Sequence, residues 1–174
     1  MTYAIRPENP ADAPAIAALV TQAFLTAAHS SGREAAIVAG LRRDGGLLAS
    51  LVAEEAGTPV GHVAASPLRI GAVGGWVGGW VGGWAGIGPL AVAPDRQGRG
   101  IGAALMTAAL DRLRAQGHAG AVLVGYPDYY RRFGFSAGSG VTVAGVPDGY
   151  VLVLPFGAAA PAGEARFHPA FGLA

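Results

Sequence analysis

The stretch "IGPLAVAPDRQGRGIGAAL", residues 87–105, decides the fold of this 174-residue chain. It begins with an apolar run that Pro94 ends, and it continues into a loop rich in glycine. After the loop, Met106, Leu110 and Leu113 recur at positions i, i+4 and i+7, which is the spacing of one helix face. The stretch therefore predicts a strand, a glycine loop and an amphipathic helix, in that order.

The glycine loop, residues 97–103, is a candidate site for a phosphate group. Glycines at positions 98, 100 and 102 let successive backbone N–H groups turn inward, and these donors lie at the start of a helix. Such an arrangement suits a phosphate or pyrophosphate. Arg96 and Arg99 add cations to the same segment. A strand-to-helix turn without any ligand is the alternative.

Two cofactor classes fit this loop, a dinucleotide and coenzyme A. Gly98-x-Gly100-x-x-Ala103 matches the dinucleotide fingerprint, but that fingerprint requires an acidic residue about 20 positions further on. Residues 118–125, "HAGAVLVG", contain no Asp or Glu. The five residues between Val92 and Gly98 also make the connection too long for a tight first turn. The sequence therefore disfavours a dinucleotide.

Composition excludes several classes of site. Charged residues make up 13% of the chain and the net charge is +1, which favours neither nucleic acid nor an anionic membrane as a partner. The chain has no cysteine, so disulfides, thiolate metal sites and a cysteine nucleophile are excluded. The four histidines are scattered without metal-ligand spacing, and we expect no metal site. The N-terminus lacks a signal-peptide pattern, which predicts a cytoplasmic protein.

The other segments predict a mixed sheet with flanking helices. A short strand at residues 5–6 precedes two helices, the first capped by Asp12, and a hairpin turns around residues 55–59. Beyond the glycine loop, "AGAVLVG" reads as a strand and "PDYYRRFGF" as a short helix, while "GVTVAGV" and "GYVLVLPF" form a closing strand pair ahead of a partly irregular tail. Strand–helix alternation is limited to the middle, so the fold class is α/β (α+β) rather than doubly wound.

The segment before the stretch repeats Val-Gly-Gly-Trp three times, at residues 73–84. In a strand each tryptophan would alternate with glycine on its own face, which gives little packing. We therefore predict an expanded loop or hairpin inserted at about residues 71–86, with Trp84 packed on the domain; an aromatic binding platform is the alternative. Residues 70–94 contain no charged side chain, and the segment is long enough for a membrane-spanning helix, but its high glycine content disfavours one.

Three motifs together resemble the GCN5-related N-acetyltransferase (GNAT) superfamily. Residues 97–102, "QGRGIG", match its acyl-CoA motif Q/R-x-x-G-x-G/A; "GPLAVAP" is similar to its fourth strand, and "YYRRFGF" to its late Tyr-x-x-x-Gly-Phe element. With the late "FHPAF", they also resemble a bacterial subgroup of small acetyltransferases. The resemblance implies one domain over residues 1–174. Its sheet is mixed and mostly antiparallel, with about seven strands, of which the fourth and fifth diverge.

The resemblance also implies a cofactor and its binding residues. GNAT enzymes transfer an acetyl group from acetyl-CoA directly to an amine, without an acyl-enzyme. In this family the fourth strand pairs with the pantetheine arm, and the glycine loop holds the pyrophosphate with its amides. The residues carried over to these roles are Leu90, Ala91, Val92, Gln97, Gly98, Arg99, Gly100, Ile101, Gly102 and Ala103.

Proton transfer completes the implied mechanism. Tyr130 aligns with the tyrosine that lies near the thioester sulfur in the family, and it is expected to act as a general acid toward the leaving thiolate. The base that deprotonates the amine is less defined by the sequence. His29 and Glu34, in the N-terminal helical region, are the leading candidates, whereas His62 alternates with apolar neighbours as a core histidine does.

The predicted function is therefore an acetyl-CoA-dependent N-acetyltransferase acting on a small-molecule or peptide amine, as a monomer or homodimer without nucleic acid or membrane. One alternative is a non-catalytic acyl-CoA-binding sensor or interaction module with the same fold. Another is a self-associating or membrane-associated protein that uses the Trp/Gly repeat. Turnover of an amine would exclude the non-catalytic sensor. Deletion of the repeat tests whether it causes self-association or membrane association.

Overall fold

A computed structural model describes residues 2–71, 83–157, 159 and 162–173. The chain divides into two compact units. The first comprises Met1–Ala65 with Gly88–Arg112, and the second comprises Ser66–Ile87 with Leu113–Ala174. The sequence predicted an inserted loop or hairpin at about residues 71–86. Residues 72–82 of it lie outside the described residues, whereas Gly71 and residues 84–86 belong to strands rather than to a loop.

The first unit begins with a strand and two helices. Its elements in chain order are β1 (Ala4–Pro7), α1 (Ala13–Phe24), α2 (Glu34–Arg43), β2 (Ala49–Glu55) and the greater part of β3 (Thr58–Pro67). A further strand, β5 (Trp84–Val92), ends in this unit, and the strand order is β1-β2-β3-β5. β1 pairs antiparallel with β2, and β2 pairs antiparallel with β3.

The predicted hairpin at residues 55–59 is confirmed. β2 and β3 are joined by Ala56 and Gly57, whose φ angles of 49° and 78° lie in the left-handed region. Glycine takes this conformation at little cost, and a two-residue turn of this hand matches the strand twist. The turn pairs Glu54 with Pro59, and a one-residue shift in register between Glu54 and Ala53 then places Val52 opposite His62.

The core of the first unit lies between the sheet and the first two helices. Buried residues of α1 and α2 pack with Val52 of β2 and Ala91 of β5 in one apolar cluster: Ile16, Val20, Ala23, Val38, Val52 and Ala91. The helical spacing of the α1 members follows the periodicity in the sequence. Asp12 precedes α1 as predicted, but its side chain makes no cap bond; it accepts instead from the Asn9 amide and from Arg6.

The helix predicted after the glycine loop is α3, Ile101–Ala115. At its start it packs closely on β3. A Cβ built on Gly61 would lie 2.8 Å from Cδ1 of Leu105 and 2.9 Å from Cγ2 of Ile101. Glycine at position 61 therefore lets the N-terminal turn of α3 approach the strand closely, which positions the loop before it.

The second unit contains the remaining strands and a short helix. They are β4 (Arg69–Gly71), the start of β5, β6 (Gly120–Val124), α4 (Pro127–Tyr130), β7 (Val141–Thr142), β8 (Val151–Pro155) and β9 (Gly163–Arg166). The strand orders are β5-β6-β8 and β4-β9-β7. β5–β6 and β7–β9 are parallel, whereas β6–β8 and β4–β9 are antiparallel. The predicted mixed, mostly antiparallel sheet is confirmed; the described residues form nine strands, against about seven predicted.

The predicted closing strand pair is wrong. β7 pairs in parallel with β9, which lies in the tail that the sequence left partly irregular, and β8 pairs antiparallel with β6. Both segments alternate as strands do, but alternation gives only the side-chain face and not the partner. Val141 and Val143 share one apolar cluster with residues of both β8 and β9, so the buried faces alone do not select the partner.

Trp84 packs in the interior of the second unit, as predicted. It is 3% exposed within a cluster that includes Leu68 and Val122. A Cβ on Gly120 would lie 2.4 Å from Cζ3 of Trp84, so the indole occupies the space that a side chain there would need. Residues 84–92 form a strand, and no helix among the described residues is long and apolar enough to span a bilayer.

Candidate active site

The last residues of β5 are the first component of the site. The parallel pairing of β5 with β6 runs only from Trp84 opposite Gly120 to Gly86 opposite Val122. Further along β5, Ala91 is buried while Leu90 and Val92 are partly exposed. The Ala93 amide donates to the Val60 carbonyl of β3 at 2.9 Å, which fixes the end of the strand on that side.

The glycine loop follows directly. Gly98 and Gly100 have φ angles of 74° and 79°, and a Cβ at either position would meet nothing within 4 Å. Their left-handed conformation, rather than crowding, therefore requires glycine. The helix bond from the Ala104 amide to the Gly100 carbonyl is 3.0 Å long, so the amides before Ala104 belong to the helix start, where intrahelical acceptors are lacking. N–H groups at the start of a helix can bind an anion.

The two arginines of the loop differ in their surroundings. Nε of Arg96 donates to Oε2 of Glu55 at 2.6 Å, and Nη1 pairs with Asp95. The hydrogen bond to Glu55 is the main reason why the pKa of Arg96 is raised, with the nearby negative charges adding to it. Arg96 is therefore already paired within the first unit. Arg99 lies between the two glycines and is exposed.

Tyr130 ends α4 in the second unit. Its ring makes an edge contact with Tyr129 at 4.9 Å between centroids and another with Phe135 at 6.2 Å. A Cβ on Gly125 would lie 2.5 Å from Cε2 of Tyr130, so glycine at that position admits the ring. Burial, together with Tyr129, raises the pKa of Tyr130 to about 12. The phenol therefore keeps its proton at neutral pH.

Two arginines follow Tyr130 and interact within their own turn. Arg131 forms an ion pair with Asp128. Arg132 lies over the Tyr129 ring, 4.6 Å from its centroid, and donates from Nε to the Tyr129 carbonyl at 3.0 Å. These contacts hold the short helix and with it the orientation of the two tyrosines.

The two base candidates lie in different settings. Glu34 begins α2, and its carboxylate accepts from the Ser31 amide at 2.6 Å and from the hydroxyls of Ser30 and Ser31. Burial raises its pKa, but these hydrogen bonds and the helix amide outweigh it and lower the pKa overall. A carboxylate so engaged is a poor proton acceptor. His29 lies in the connection before α2 and is exposed.

The structure brings together a polar cluster that the sequence did not reveal. His62 is fully buried on β3, and its Nε2 lies 2.8 Å from Oγ of Ser50. The same hydroxyl donates to Oε2 of Glu8 at 2.5 Å, and Arg42 binds both carboxylate oxygens at 2.8 and 2.9 Å. We call Glu8, Arg42, Ser50 and His62 the polar cluster. The one signal in the sequence was a histidine in an apolar strand, which needs a buried partner.

The carboxylate of the polar cluster is ionised. Burial raises the pKa of Glu8, but hydrogen bonds from Arg42, His62 and Ser50 hold it well below its usual range. No group of three or more His, Asp or Glu that could hold a metal occurs in the part of the chain that the structure describes.

A strand, a loop in which Gly98 and Gly100 are left-handed, and the start of a helix form a turn of the kind that can bind a phosphate group. Residues 4–138 match the family model described as "Acetyltransferase (GNAT) domain". The chain therefore belongs to the GNAT acetyltransferase family, as the sequence motifs predicted.

Relatives of the chain include proteins whose structures were solved with a bound cofactor. The chain is 40% identical over 132 residues to the uncharacterized N-acetyltransferase YhbS of Escherichia coli strain K12, covering 75% of this chain and 72% of that one. A GNAT acetyltransferase from Brucella melitensis, solved with acetyl-CoA, has 42% identity and a TM-score of 0.83, with 98% of each chain covered. YhbS from E. coli, solved with CoA, has 32% identity and a TM-score of 0.83, covering 98% of this chain and 92% of that one.

These findings confirm the fold class and the predicted enzyme class, an N-acetyltransferase. The cofactor in the two solved relatives, acetyl-CoA in one and CoA in the other, is the kind that the loop motif predicted.

Proposed function

We propose that this chain transfers an acetyl group from acetyl-CoA directly to an amine and releases CoA. The observation that carries the proposal is the open glycine loop, in which Gly98 and Gly100 adopt left-handed φ angles just ahead of the α3 N-terminus. The acetyl-CoA complex of a relative with 42% identity supports the same cofactor. The chain has no cysteine, which agrees with direct attack of the amine on the thioester.

In this proposal the main chain holds most of the cofactor. The pantetheine arm pairs with the backbone of Leu90, Ala91 and Val92, and the pyrophosphate accepts from the loop amides. An N–H at the end of β5 polarises the thioester carbonyl as an oxyanion hole does. The loop residues assigned to this binding are Gln97, Gly98, Arg99, Gly100, Ile101, Gly102 and Ala103.

Tyr130 is proposed to donate a hydrogen bond to the sulfur as its charge develops. Its pKa of about 12 keeps the proton on oxygen throughout the working pH range. A thiol has a pKa of about 8.5, so complete transfer from Tyr130 to the thiolate would be uphill by about 5 kcal/mol. Donation of a charge-assisted hydrogen bond, with transfer following only as the amide forms, therefore suits this phenol.

The amine arrives mostly as ammonium and must lose a proton before it attacks. Of the two residues proposed from the sequence, Glu34 is disfavoured by its four hydrogen-bond donors and its lowered pKa. His29 is exposed, and it stays a proposal as a base.

The two compact units are proposed to act as one domain over residues 1–174. The family match covers residues 4–138 and so includes parts of both units. The acceptor is proposed to be a small-molecule or peptide amine. A monomer or homodimer, the absence of nucleic-acid and membrane partners, and a cytoplasmic location stay predictions from the sequence.

Calorimetric titration with acetyl-CoA tests the proposal, with NAD as the control ligand. Micromolar binding of acetyl-CoA without response to NAD is expected. A panel of amines, polyamines, amino acids and peptides is then screened by following free CoA thiol. Absence of acetyl-CoA binding would contradict the proposal. Binding without turnover of any amine would favour the alternative, a non-catalytic acyl-CoA sensor.

A further inference from the structure

The buried histidine of the polar cluster lies one strand away from the proposed pantetheine-binding segment. Val52 is directly opposite His62, so the two side chains are on the same face of the sheet. Val52 shares its apolar cluster with Ala91 of β5, the strand that neighbours β3. Adjacent strands are about 4.8 Å apart. His62 is therefore close to the main chain that the proposed function assigns to the thioester.

The hydrogen bonds of the polar cluster fix the tautomer of His62. Glu8 is ionised and can only accept, so the single hydroxyl proton of Ser50 is donated to Glu8 at 2.5 Å. The Ser50 oxygen must then accept from His62, whose Nε2 lies 2.8 Å away. Neutral His62 thus carries its proton on Nε2 and has a lone pair on Nδ1.

That lone pair has no protein partner among the described residues, although Nδ1 is buried. Leaving a buried nitrogen unpaired costs free energy, and such atoms call for a functional explanation. The ring of His62 faces charged and polar groups on three neighbouring elements. Glu8 after β1 lies 3.7 Å from Nε2, Ser50 of β2 lies between them, and Arg42 of α2 is paired with Glu8. The residues that α1 and β5 contribute to the neighbouring apolar cluster are Ile16, Val20, Ala23 and Ala91.

We propose that Nδ1 of His62 accepts the proton of the acceptor ammonium through ordered water, with Glu8 and Ser50 as positioning residues. This inference rests on the proposed function. The ammonium gives one proton through water to Nδ1, and the ring becomes an imidazolium beside Glu8. The lone pair of the acceptor's amine nitrogen then attacks the acetyl carbonyl carbon, and the C–N bond forms as the C–S bond breaks. The second nitrogen proton neutralises the departing thiolate, and the imidazolium later returns its proton to solvent.

The tautomer is tested first, because it needs no acceptor. Protein labelled with ¹⁵N-histidine is examined by long-range ¹H–¹⁵N correlation, and the His62→Gln variant assigns the signals. A proton on Nε2, a bare Nδ1 and a change in the Nδ1 shift when acetyl-CoA is added are expected. A proton on Nδ1, or an Nδ1 shift that acetyl-CoA leaves unchanged, would overturn the proposal even if no amine were turned over.

The pH dependence of kcat/KM is measured next, with acetyl-CoA and whichever amine of the screening panel reacts fastest. Wild type is expected to lose activity on the acid side as Nδ1 is protonated. His62→Gln should lower kcat by about 10²- to 10⁴-fold and remove that acid limb, without changing acetyl-CoA affinity. Glu8→Gln should move the acid limb of the kcat/KM profile to lower pH, because the variant lacks the negative charge that stabilises the imidazolium of His62.

His118→Gln is the matched control, since His118 belongs to the second unit, where its Nδ1 lies 3.1 Å from the Gly83 carbonyl oxygen. It should behave as wild type. An acid limb that persists in His62→Gln and vanishes in His29→Gln would overturn the assignment in favour of His29. Circular dichroism and acetyl-CoA binding verify that each variant is folded. If the wild-type protein turns over no amine, the proposed function is refuted. The tautomer experiment then tests the His62 assignment by itself.

Discussion

The side-chain amide of Gln97 donates a 3.2 Å hydrogen bond to the main-chain carbonyl of Val92. The bond joins the end of β5 to the first residue of the glycine loop. It therefore couples the strand proposed to bind pantetheine to the loop proposed to bind the pyrophosphate, and both belong to the first unit.

Replacement of Gln97 by alanine should weaken acetyl-CoA binding. One neutral hydrogen bond contributes about 0.5–1.5 kcal/mol, so the dissociation constant should rise about 2- to 10-fold while the melting temperature barely changes. Calorimetric titration measures the affinity. Gln22→Ala, at an exposed position of α1, is the control and should bind as wild type does. Equal affinity of Gln97→Ala and wild type would show that the bond does not position the loop.

Gly100→Ala should affect both stability and binding, because its φ of 79° lies in the left-handed region. An alanine there costs about 1–2 kcal/mol or shifts the backbone and its amides. Gly117 has a φ of 81°, and a Cβ at this position would meet nothing within 4 Å, so it provides a control with the same strain outside the loop.

The two glycine variants should lose similar thermal stability, but only Gly100→Ala should bind acetyl-CoA more weakly. Thermal unfolding and calorimetric titration on both proteins separate strain from loss of the site. Equal affinities in the two variants would argue against the loop as the pyrophosphate site.

Tyr130→Phe should lower kcat by about 10- to 100-fold, which corresponds to one charge-assisted hydrogen bond. The KM for acetyl-CoA should change little, because the ring and its contacts remain. Tyr129→Phe keeps the edge contact of the two rings and is the comparison. The measurement is steady-state release of CoA thiol with the amine found in the screen. Unchanged turnover of Tyr130→Phe would remove Tyr130 from the reaction.

Glu8 should make the fold sensitive to acid. Burial raises the pKa of this carboxyl, but the hydrogen bonds from Arg42, His62 and Ser50 bring it below its ordinary value of 4.5. A depressed pKa stabilises the fold above the unfolded value, and that contribution is lost as the pH falls below about 4.5. The melting temperature should thus be steady from pH 7 to pH 5 and decline below that range.

The Glu8→Gln variant tests this assignment. It should be about 1–3 kcal/mol less stable than wild type at pH 7, and the difference should shrink as the pH falls toward 2. Asp148→Asn, at an exposed position, is the control and should follow the wild-type curve. A constant difference between Glu8→Gln and wild type from pH 7 to pH 2 would contradict the assignment.

Local signals predicted several elements correctly. The hairpin at Ala56 and Gly57 and the helix after the glycine loop follow from turn chemistry and from periodicity, which act between residues close in sequence. The family membership was carried by the motif at residues 97–102, because a loop that holds a phosphate with its backbone needs glycine at fixed positions.

These local signals did not predict which strands pair with each other. The alternation at residues 141–146 and 150–156 predicted strands, but not that β7 joins β9 and β8 joins β6. The tail strand β9, which pairs with β7, has weak periodicity of its own, and side-chain alternation gives no main-chain partner.

The sequence by itself determined the strand, the glycine loop and the helix of residues 87–105, and through them the GNAT family. Only the tertiary structure decided the surroundings of the ionisable side chains. Glu8, Arg42, Ser50 and His62 come from four separate segments, and they meet because β1, β2, β3 and α2 pack together. Local periodicity places each residue on a face of its own element, whereas a hydrogen bond of 2.5 to 2.9 Å requires the packed elements to be in register.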